Sequence, residues 1–195
     1  DIIQIAREWN SDGLLKSFVL SNIHGLSPNF INGVKTVDYE ETKQLYLHIL
    51  DAYEKHQDWV VLKIFLDECL AYWKDRPIID AGQSVPMATC MPINSKIYID
   101  SQMQIGICEK VADKYRIGNV KNGIDWKRAN EIVEEYYHKR VERCKYCPAI
   151  RMCDMCLTAV EYSDEQWDIL CHNERVYAQI FMFLYCEMAE RGLIK

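Results

Sequence analysis

The sequence lacks several features that would assign it to a common class of protein. No apolar run approaches the roughly 20 residues needed to span a bilayer, and the nearest, IFMFLYC at 180–186, is flanked by Gln179 and Glu187. The net charge is −6, so the concentrated positive charge that binds nucleic acid or an anionic membrane is missing. No glycine-rich phosphate loop and no hydrolytic Ser/His/Asp spacing is present. We therefore expect neither a membrane protein nor a nucleic-acid-binding protein.

The chain also begins without Met and without a leader segment. Its first residues, DIIQIAREWN, carry charges throughout, whereas a signal peptide has a short basic segment followed by an apolar one. We expect a cytoplasmic protein, and we expect this chain to be a piece of a longer one.

Cysteine, by contrast, is abundant, with nine residues in 195. An odd number of cysteines without a secretion signal argues against a disulfide framework. Four of them lie in RCKYCPAIRMCDMC at 143–156, with the spacing C-x2-C-x5-C-x2-C. Upstream, Cys90 and Cys108 are separated by seventeen residues, and downstream Cys171 follows Cys156 after fourteen. This clustering indicates a metal site.

The spacing favours iron–sulfur clusters over zinc. Structural zinc commonly uses two C-x2-C pairs that lie ~12–20 residues apart, but here only five residues separate the pairs. In two-cluster ferredoxins, the last Cys of a compact run ligates the other cluster. The resulting hypothesis has two ligand sets: Cys144, Cys147, Cys153 and Cys171 for one cluster, and Cys90, Cys108 and Cys156 for the other. Spacing alone does not assign each ligand, and zinc stays open.

Hydrophobic periodicity in the first part of the chain predicts helices and one buried strand. Helices are predicted at the start of the chain, over 38–56 and from about Leu62 to Trp73, and the strand runs from Ser17 to about Ser21. Five side chains form the predicted buried stripe of the second helix: Leu45, Leu47, Ile49, Leu50 and Tyr53. A linker over 76–89, with two prolines, then leads to a segment of different character.

The second part combines a β-hairpin with helices. The alternating segment KIYIDSQMQIGICEK at 96–110 predicts a hairpin that turns around Ser101 and Gln102, and RIGNVKNGI at 116–124 is predicted to be a loop. A helix should follow, with Asp125 as its N-cap.

The C-terminal region reads as one long helical segment. Ser163 and Gln166 form a predicted capping box at its start. We expect the segment to be bent or interrupted near Cys171 and to end at Gly192.

The order of the cysteines resembles the SPASM domain. The matching features are Cys90, then Gly106 and Cys108, then YRIGNV, then CKYCPAIRMCDMC and finally Cys171, so the resemblance covers residues 90 to about 175. That domain is the C-terminal extension of many radical S-adenosylmethionine (radical SAM) peptide maturases and of anaerobic sulfatase-maturing enzymes, and it usually carries two auxiliary 4Fe–4S clusters. The resemblance implies an α+β chain in which 1–85 are the last βα segments of a partial barrel and 86–195 are a SPASM-like domain with a hairpin and a C-terminal helix.

The resemblance also implies an activity for the full-length protein. It would oxidatively modify a ribosomally made precursor peptide, for instance by thioether cross-linking, and would draw electrons from a donor such as ferredoxin or flavodoxin. The C-x3-C-x2-C motif that binds the S-adenosylmethionine cluster is absent from this chain. We therefore expect S-adenosylmethionine and its 4Fe–4S cluster in a missing N-terminal part, and we expect this fragment alone to be inactive.

Two departures from the family pattern affect the first cluster and the cysteine run. The last gap of the run, between Cys153 and Cys156, is two residues where three is common, and the nearest Cys before Cys90 is Cys69, twenty-one positions upstream. The resemblance then implies a first cluster held by Cys90, Cys108 and Cys156 with one open iron, which would suit a substrate thiolate. The second cluster would be fully ligated.

Other residues have simpler interpretations. Cys69 and Cys186 lie among apolar neighbours and are predicted to be core residues. Tyr136 and Tyr137 are predicted to pack with Trp126, and Arg151 is a candidate for favouring a reduced cluster. Two other functions stay open: a zinc-stabilised interaction module and a sulfatase-type maturase.

Overall fold

The computed structural model describes residues 2–11, 36–74, 96–111, 113–150, 152–153 and 155–194. Within them the fold is α+β, as predicted, with five α-helices and one four-stranded antiparallel sheet. The helices are α1 (Ile2–Ser11), α2 (Tyr39–Lys55), α3 (Val60–Lys74), α4 (Trp126–Cys144) and α5 (Asp164–Glu190). The strands are β1 (Tyr98–Ile99), β2 (Gln104–Gly106), β3 (Arg116–Asn119) and β4 (Gly123–Ile124). The predicted strand at 17–21 and the predicted domain boundary at 85–86 lie outside the described residues.

These residues form two compact units. The helical unit contains described residues of 2–11, 37–74 and 175–194, and the mixed unit contains described residues of 96–174. Helix α5 contributes its residues up to Glu174 to the mixed unit and those from Arg175 onward to the helical unit.

Helix α2 buries a stripe that differs by one position from the prediction. Ile49 and Leu50 are buried, as predicted, but Leu45 is 54% exposed. Tyr46 takes its place, with its ring 5.3 Å from that of Phe65. The reason is the helical period, because Tyr46 lies three and four residues before Ile49 and Leu50 and therefore on their face.

The end of α5 is held in the helical unit by a glycine cap and by ion pairs. Gly192 has a φ of +69°, and the backbone N–H of Leu193 donates to the carbonyl of Met188 at 2.9 Å, as in helix ends that close on a left-handed glycine. Arg191 pairs with Asp51 at 2.7 Å and Glu54 at 3.0 Å, both on α2. These ion pairs are partly exposed, so their contribution to stability is small.

The sheet of the mixed unit is a meander in the order β1–β2–β3–β4. Its first hairpin confirms the prediction: Ile99 pairs with Ile105 across a turn at 100–103. Asp100 organises this turn, because its Oδ1 accepts hydrogen bonds from the backbone N–H groups of Gln102 at 2.8 Å and Gln104 at 2.9 Å. The aspartate therefore replaces backbone partners that the tight turn leaves unpaired.

The segment 116–124 is a second hairpin, so the prediction of a loop was wrong. Strands β3 and β4 pair through Gly118 with Ile124 and Asn119 with Gly123. Two glycines and two asparagines in nine residues had indicated a loop. In the structure they serve the hairpin instead: a Cβ on Gly118, whose φ is +144°, would lie 2.2 Å from the carbonyl oxygen of Gly123. Glycine here permits two backbones to meet closely.

Both predicted helix caps of the mixed unit are confirmed. Asp125 accepts from the backbone N–H of Arg128 at 2.9 Å at the start of α4. At the start of α5, the backbone N–H of Ser163 donates to Gln166 Oε1 at 2.9 Å, and the N–H of Gln166 donates to Ser163 Oγ at 3.3 Å. The expected interruption near Cys171 is wrong, since α5 is one helix over Asp164–Glu190.

The core of the mixed unit lies between the sheet, α4, a 3-10 helix (Leu157–Glu161) and the first part of α5. Trp167 is fully buried there, and its Nε1–H donates to the carbonyl of Ala159 at 3.0 Å. Tyr136 packs beside Trp167, with ring centres 6.1 Å apart. The predicted packing on Trp126 was wrong, because Trp126 is 65% exposed at the first turn of α4, off the buried face.

Replacing Gly118 should destabilise the mixed unit more than replacing Gly123. Gly118→Ala puts a Cβ against the backbone of β4 and forces an unfavourable φ, so we expect a loss of about 3 kcal/mol in the free energy of unfolding. At Gly123 nothing lies within 4 Å of the Cβ position, so Gly123→Ala brings only the unfavourable positive φ. We expect it to lower the free energy of unfolding by about 1 kcal/mol. Urea denaturation followed by circular dichroism measures both, and equal losses would contradict the close approach.

Candidate functional site

The cysteine run begins at the last residue of α4 and continues through tight turns. The backbone N–H of Cys147 donates to the carbonyl of Cys144 at 2.9 Å, and that of Cys153 donates to the carbonyl of Ala149 at 2.9 Å. The N–H of Met155 donates to Cys153 Sγ at 3.4 Å. Cys156 then precedes the 3-10 helix as its N-cap residue. We call the segment from Cys144 to Cys156 the cysteine loop.

A buried Arg–Tyr pair joins α4 to the cysteine loop. Arg140 and Tyr136 are both fully buried. Arg140 Nη1 donates to the carbonyl of Met155 at 3.0 Å and to the Tyr136 hydroxyl. That hydroxyl donates to the same carbonyl at 2.8 Å. Two side chains of α4 therefore fix the loop at Met155, between its third and fourth cysteines.

The guanidinium of Arg140 is only partly satisfied. Its Nε and Nη2 are buried and have no hydrogen-bond partner among the residues that the structure describes. A buried charge without full pairing costs several kcal/mol in general. Burial lowers the pKa of Arg140, but Tyr136 and Cys153 raise it by more, and Cys144 adds to the increase. The site therefore favours a negatively charged neighbour.

The cysteine thiols of the loop are groups of this region that can become negative. Burial, with a smaller contribution from the charge of Glu174, raises the pKa of Cys153 to about 12, although Arg140 acts in the opposite direction. Burial also raises the pKa of Cys144, again opposed by Arg140. Metal ligation requires thiolates, so these thiols would release protons on binding a metal.

Some of the predicted ligands of the second cluster are close enough to affect a neighbouring thiol. Cys147 contributes to the raised pKa of Cys144, and Cys144 contributes to that of Cys153. Cys171 lies on α5 and, like Cys153, packs half-buried against the core of the mixed unit. Among the residues that the structure describes, however, no three Cys, His, Asp or Glu side chains lie close enough together to hold a metal ion. The structure brings these cysteines to one region but not into a formed ligand set.

The predicted ligands of the first cluster are less well defined. Cys90 lies outside the described residues. Cys108 follows β2 and packs half-buried against the core of the mixed unit. Its Sγ donates to Glu109 Oε2 at 3.4 Å and lies 3.9 Å from Lys96 Nζ. Cys156 is close enough to Tyr136 and Tyr162 to raise the pKa of both hydroxyls, each of which is raised mainly by burial.

Sequence reasoning missed the buried charge. It pointed to Arg151, which lies outside the described residues, as the positive group near the cysteines. The position of Arg140 could have been found, because Tyr136, Arg140 and Cys144 repeat at intervals of four and must share one face of α4. The apolar residues Ala129 and Ile132 extend the same buried face.

The two cysteines assigned to cores have different outcomes. Cys69 is buried in the helical unit, as predicted. Cys186 is exposed, so its prediction was wrong. The buried stripe of α5 in this unit is Ile180, Leu184 and Met188, and Cys186 lies two positions from Leu184 and Met188, on another face of the helix.

Comparison with known proteins found no relative of this chain. No family model matches the chain, and no curated protein or solved structure is detectably similar to it. Within the described residues, none of the helices combines the length and apolarity that crossing a bilayer requires.

Thiol labelling should separate Cys69 from Cys186. Burial raises the pKa of Cys69 to about 12, so its thiol stays protonated and inaccessible at pH 8. Cys186 is exposed and should react with iodoacetamide at least about tenfold faster. Mass spectrometry of the native protein after timed alkylation measures both rates, and unfolded protein in urea, where the two should react alike, is the control. Equal rates in the native protein would contradict the placement of Cys69 in the core.

Proposed function

We propose that this chain binds two auxiliary 4Fe–4S clusters and is the C-terminal, SPASM-like portion of a cytoplasmic radical SAM enzyme that oxidatively modifies a ribosomally made peptide. The observation that carries the proposal is the buried Arg140 charge, with two nitrogens that lack a partner among the described residues, beside a run of cysteines whose spacing favours iron–sulfur ligation. A centre held by four thiolates is negatively charged overall, so it would supply the charge that the guanidinium lacks.

The proposed ligand sets follow the sequence. Cys144, Cys147, Cys153 and Cys171 would hold the second cluster, and Cys90, Cys108 and Cys156 would hold the first. Since the described thiols form no ready ligand set, ligation would draw them closer together, and binding would be coupled to ordering of the cysteine loop. The clusters would supply electron transfer, and the open iron of the first would offer a place for a substrate thiolate.

The chain's own residues would contribute position and charge. Tyr136 and Arg140 hold the carbonyl of Met155 and so fix the loop between Cys153 and Cys156. The N–H of Met155 donates to Cys153 Sγ, which would lower the electron density on a ligand sulfur. Lys96, near Cys108 Sγ, would favour the thiolate form of that ligand.

A second candidate function is a zinc-stabilised interaction module. The tight turn from Cys144 to Cys147, closed by a backbone hydrogen bond of 2.9 Å, resembles one half of a structural zinc site. Zinc bound by four thiolates is also anionic and would satisfy Arg140 equally well. The five-residue gap between the two C-x2-C pairs favours iron–sulfur ligation over this alternative.

Anaerobic reconstitution with iron and sulfide distinguishes the two. We expect about eight iron atoms per chain, two cubanes of four, and a brown protein absorbing near ~400 nm. Cys153→Ser should lose about half of the iron, whereas Cys186→Ser, an exposed cysteine outside both ligand sets, should lose none. A colourless protein with one zinc per chain, which takes up no iron on reconstitution, would contradict the proposal and support the zinc module.

The substrate is tested separately from the clusters. Incubation of the full-length enzyme with S-adenosylmethionine, a reductant and a Cys-containing precursor peptide should reduce the peptide mass by about 2 Da for each thioether formed, since two hydrogen atoms are removed. A gene for a short Cys-rich precursor beside that of this protein would agree with the peptide substrate. A neighbouring sulfatase gene and formation of formylglycine would support the sulfatase-type maturase instead.

A further inference from the structure

The charge of Arg140 has no hydrogen-bonded counterion among the residues that the structure describes. The residue is fully buried in the mixed unit, and its hydrogen bonds go from Nη1 to a carbonyl and a hydroxyl, which are neutral acceptors. No ion pair joins it to a carboxylate in the described part of the chain. Arg143, one turn further along α4, shows the contrast, because it pairs with Asp164 and Asp168.

Arginine is a costly choice for this position. A neutral side chain would make the bond to Met155 without burying a charge, and the packing alone does not require a cation. Lysine would escape the cost by releasing its proton, but a guanidinium stays protonated in proteins. The cost is recovered only when a permanent negative charge lies next to the guanidinium.

The thiols of the second ligand set lie close to the charge of Arg140. Cys144 follows Arg140 by one turn on the same buried face of α4, and Met155, whose carbonyl Arg140 binds, donates its N–H to Cys153 Sγ. The guanidinium is therefore close enough to stabilise negative charge on both sulfurs. Its Nε and Nη2, which have no partner among the described residues, retain three N–H donors for an acceptor that is not yet in place. Hydrogen bonds and positive charge near cluster sulfurs raise reduction potentials, because the reduced cluster carries one more negative charge.

We propose that Arg140 is the charge partner of the cluster held by Cys144, Cys147, Cys153 and Cys171, and that it raises this cluster's reduction potential. The inference rests on the proposed function. Arg140 acts as a positioning and tuning residue, since it ligates no iron. The one-electron reduction it favours adds one electron to the cluster from an external reductant and breaks no bond.

The test is a potentiometric titration of the reconstituted chain with dithionite, followed by electron paramagnetic resonance. The signal of the second cluster is identified as the one that Cys153→Ser abolishes. We expect Arg140→Gln, which keeps a donor for Met155 but loses the charge, to disfavour its reduction about tenfold, which corresponds to about 59 mV for one electron. Arg140→Lys should restore most of the loss, because proximity to the cluster keeps the ammonium charged.

Arg143→Gln is the matched control. It removes the same charge from the same helix, but that charge is already paired with Asp164 and Asp168, so the potential of the second cluster should stay unchanged. Arg140→Met replaces Arg140→Gln if the latter does not fold by circular dichroism. The signal that survives in Cys153→Ser, that of the first cluster, should move little in any Arg140 variant.

The outcomes separate the two proposals. If the wild-type chain takes up no iron, the proposed function fails and the role of Arg140 fails with it. If it loads both clusters and the neutral variants load with an unchanged potential, only the inference on Arg140 is wrong. If neutral variants fold but stay without the second cluster while Arg140→Lys loads it, the charge is needed for assembly and the inference holds. Folded variants that all fail to load, Arg140→Lys included, would show that the positive charge is not what matters and would overturn it.

Discussion

The mixed unit depends on one hydrogen-bonded contact, in which Arg140 and Tyr136 hold the carbonyl of Met155. This contact joins the middle of α4 to the cysteine loop. The same part of the loop also packs against the core of the unit, through Met155 and Cys153. The contact also brings a permanent positive charge into a buried region, so the geometry of the loop and its electrostatics come from the same side chain.

That arrangement constrains what the loop can bind. A neutral ligand would leave the charge unbalanced, and a cation bound by neutral groups would oppose it. A centre surrounded by thiolates meets both requirements, because the ligands carry more negative charge than the metal carries positive. Iron–sulfur clusters and zinc share this property, and the spacing of the cysteines, not the charge, favours the clusters.

The sequence predicted the parts of the fold that local chemistry determines. Asp125 and the pair Ser163 and Gln166 cap helices as expected, since capping depends on a few neighbouring residues. The first hairpin followed from alternation of apolar and polar residues. The second hairpin did not, because the glycines of β3 and β4 serve a close approach between strands, which composition alone does not distinguish from a loop.

The sequence indicated which cysteines form the candidate site, but it said less about the residues that surround them. Spacing draws attention to the thiols, but it contains no information on the distances between Cys108, Cys156 and Cys171, which depend on tertiary packing. The buried arginine was readable from the four-residue repeat of Tyr136, Arg140 and Cys144 on α4. It was overlooked because arginine is usually a surface residue. Leu45 and Cys186 show the related difficulty that an apolar residue on a helix can lie one or two positions away from the buried face.

The meeting of Gly118 with the backbone of Gly123 has a consequence for the alignment of the strands. A shift of β3 by one residue against β4 would place Ile117 or Asn119 where only a hydrogen fits, so a slip of one residue in either direction is blocked sterically. The carbonyl of Ile117, next to Gly118 on β3, accepts from the backbone N–H of Asp125 at 2.7 Å, and Asp125 is the N-cap of α4. A missing side chain at one strand position thereby helps to fix where the helix that carries Arg140 begins.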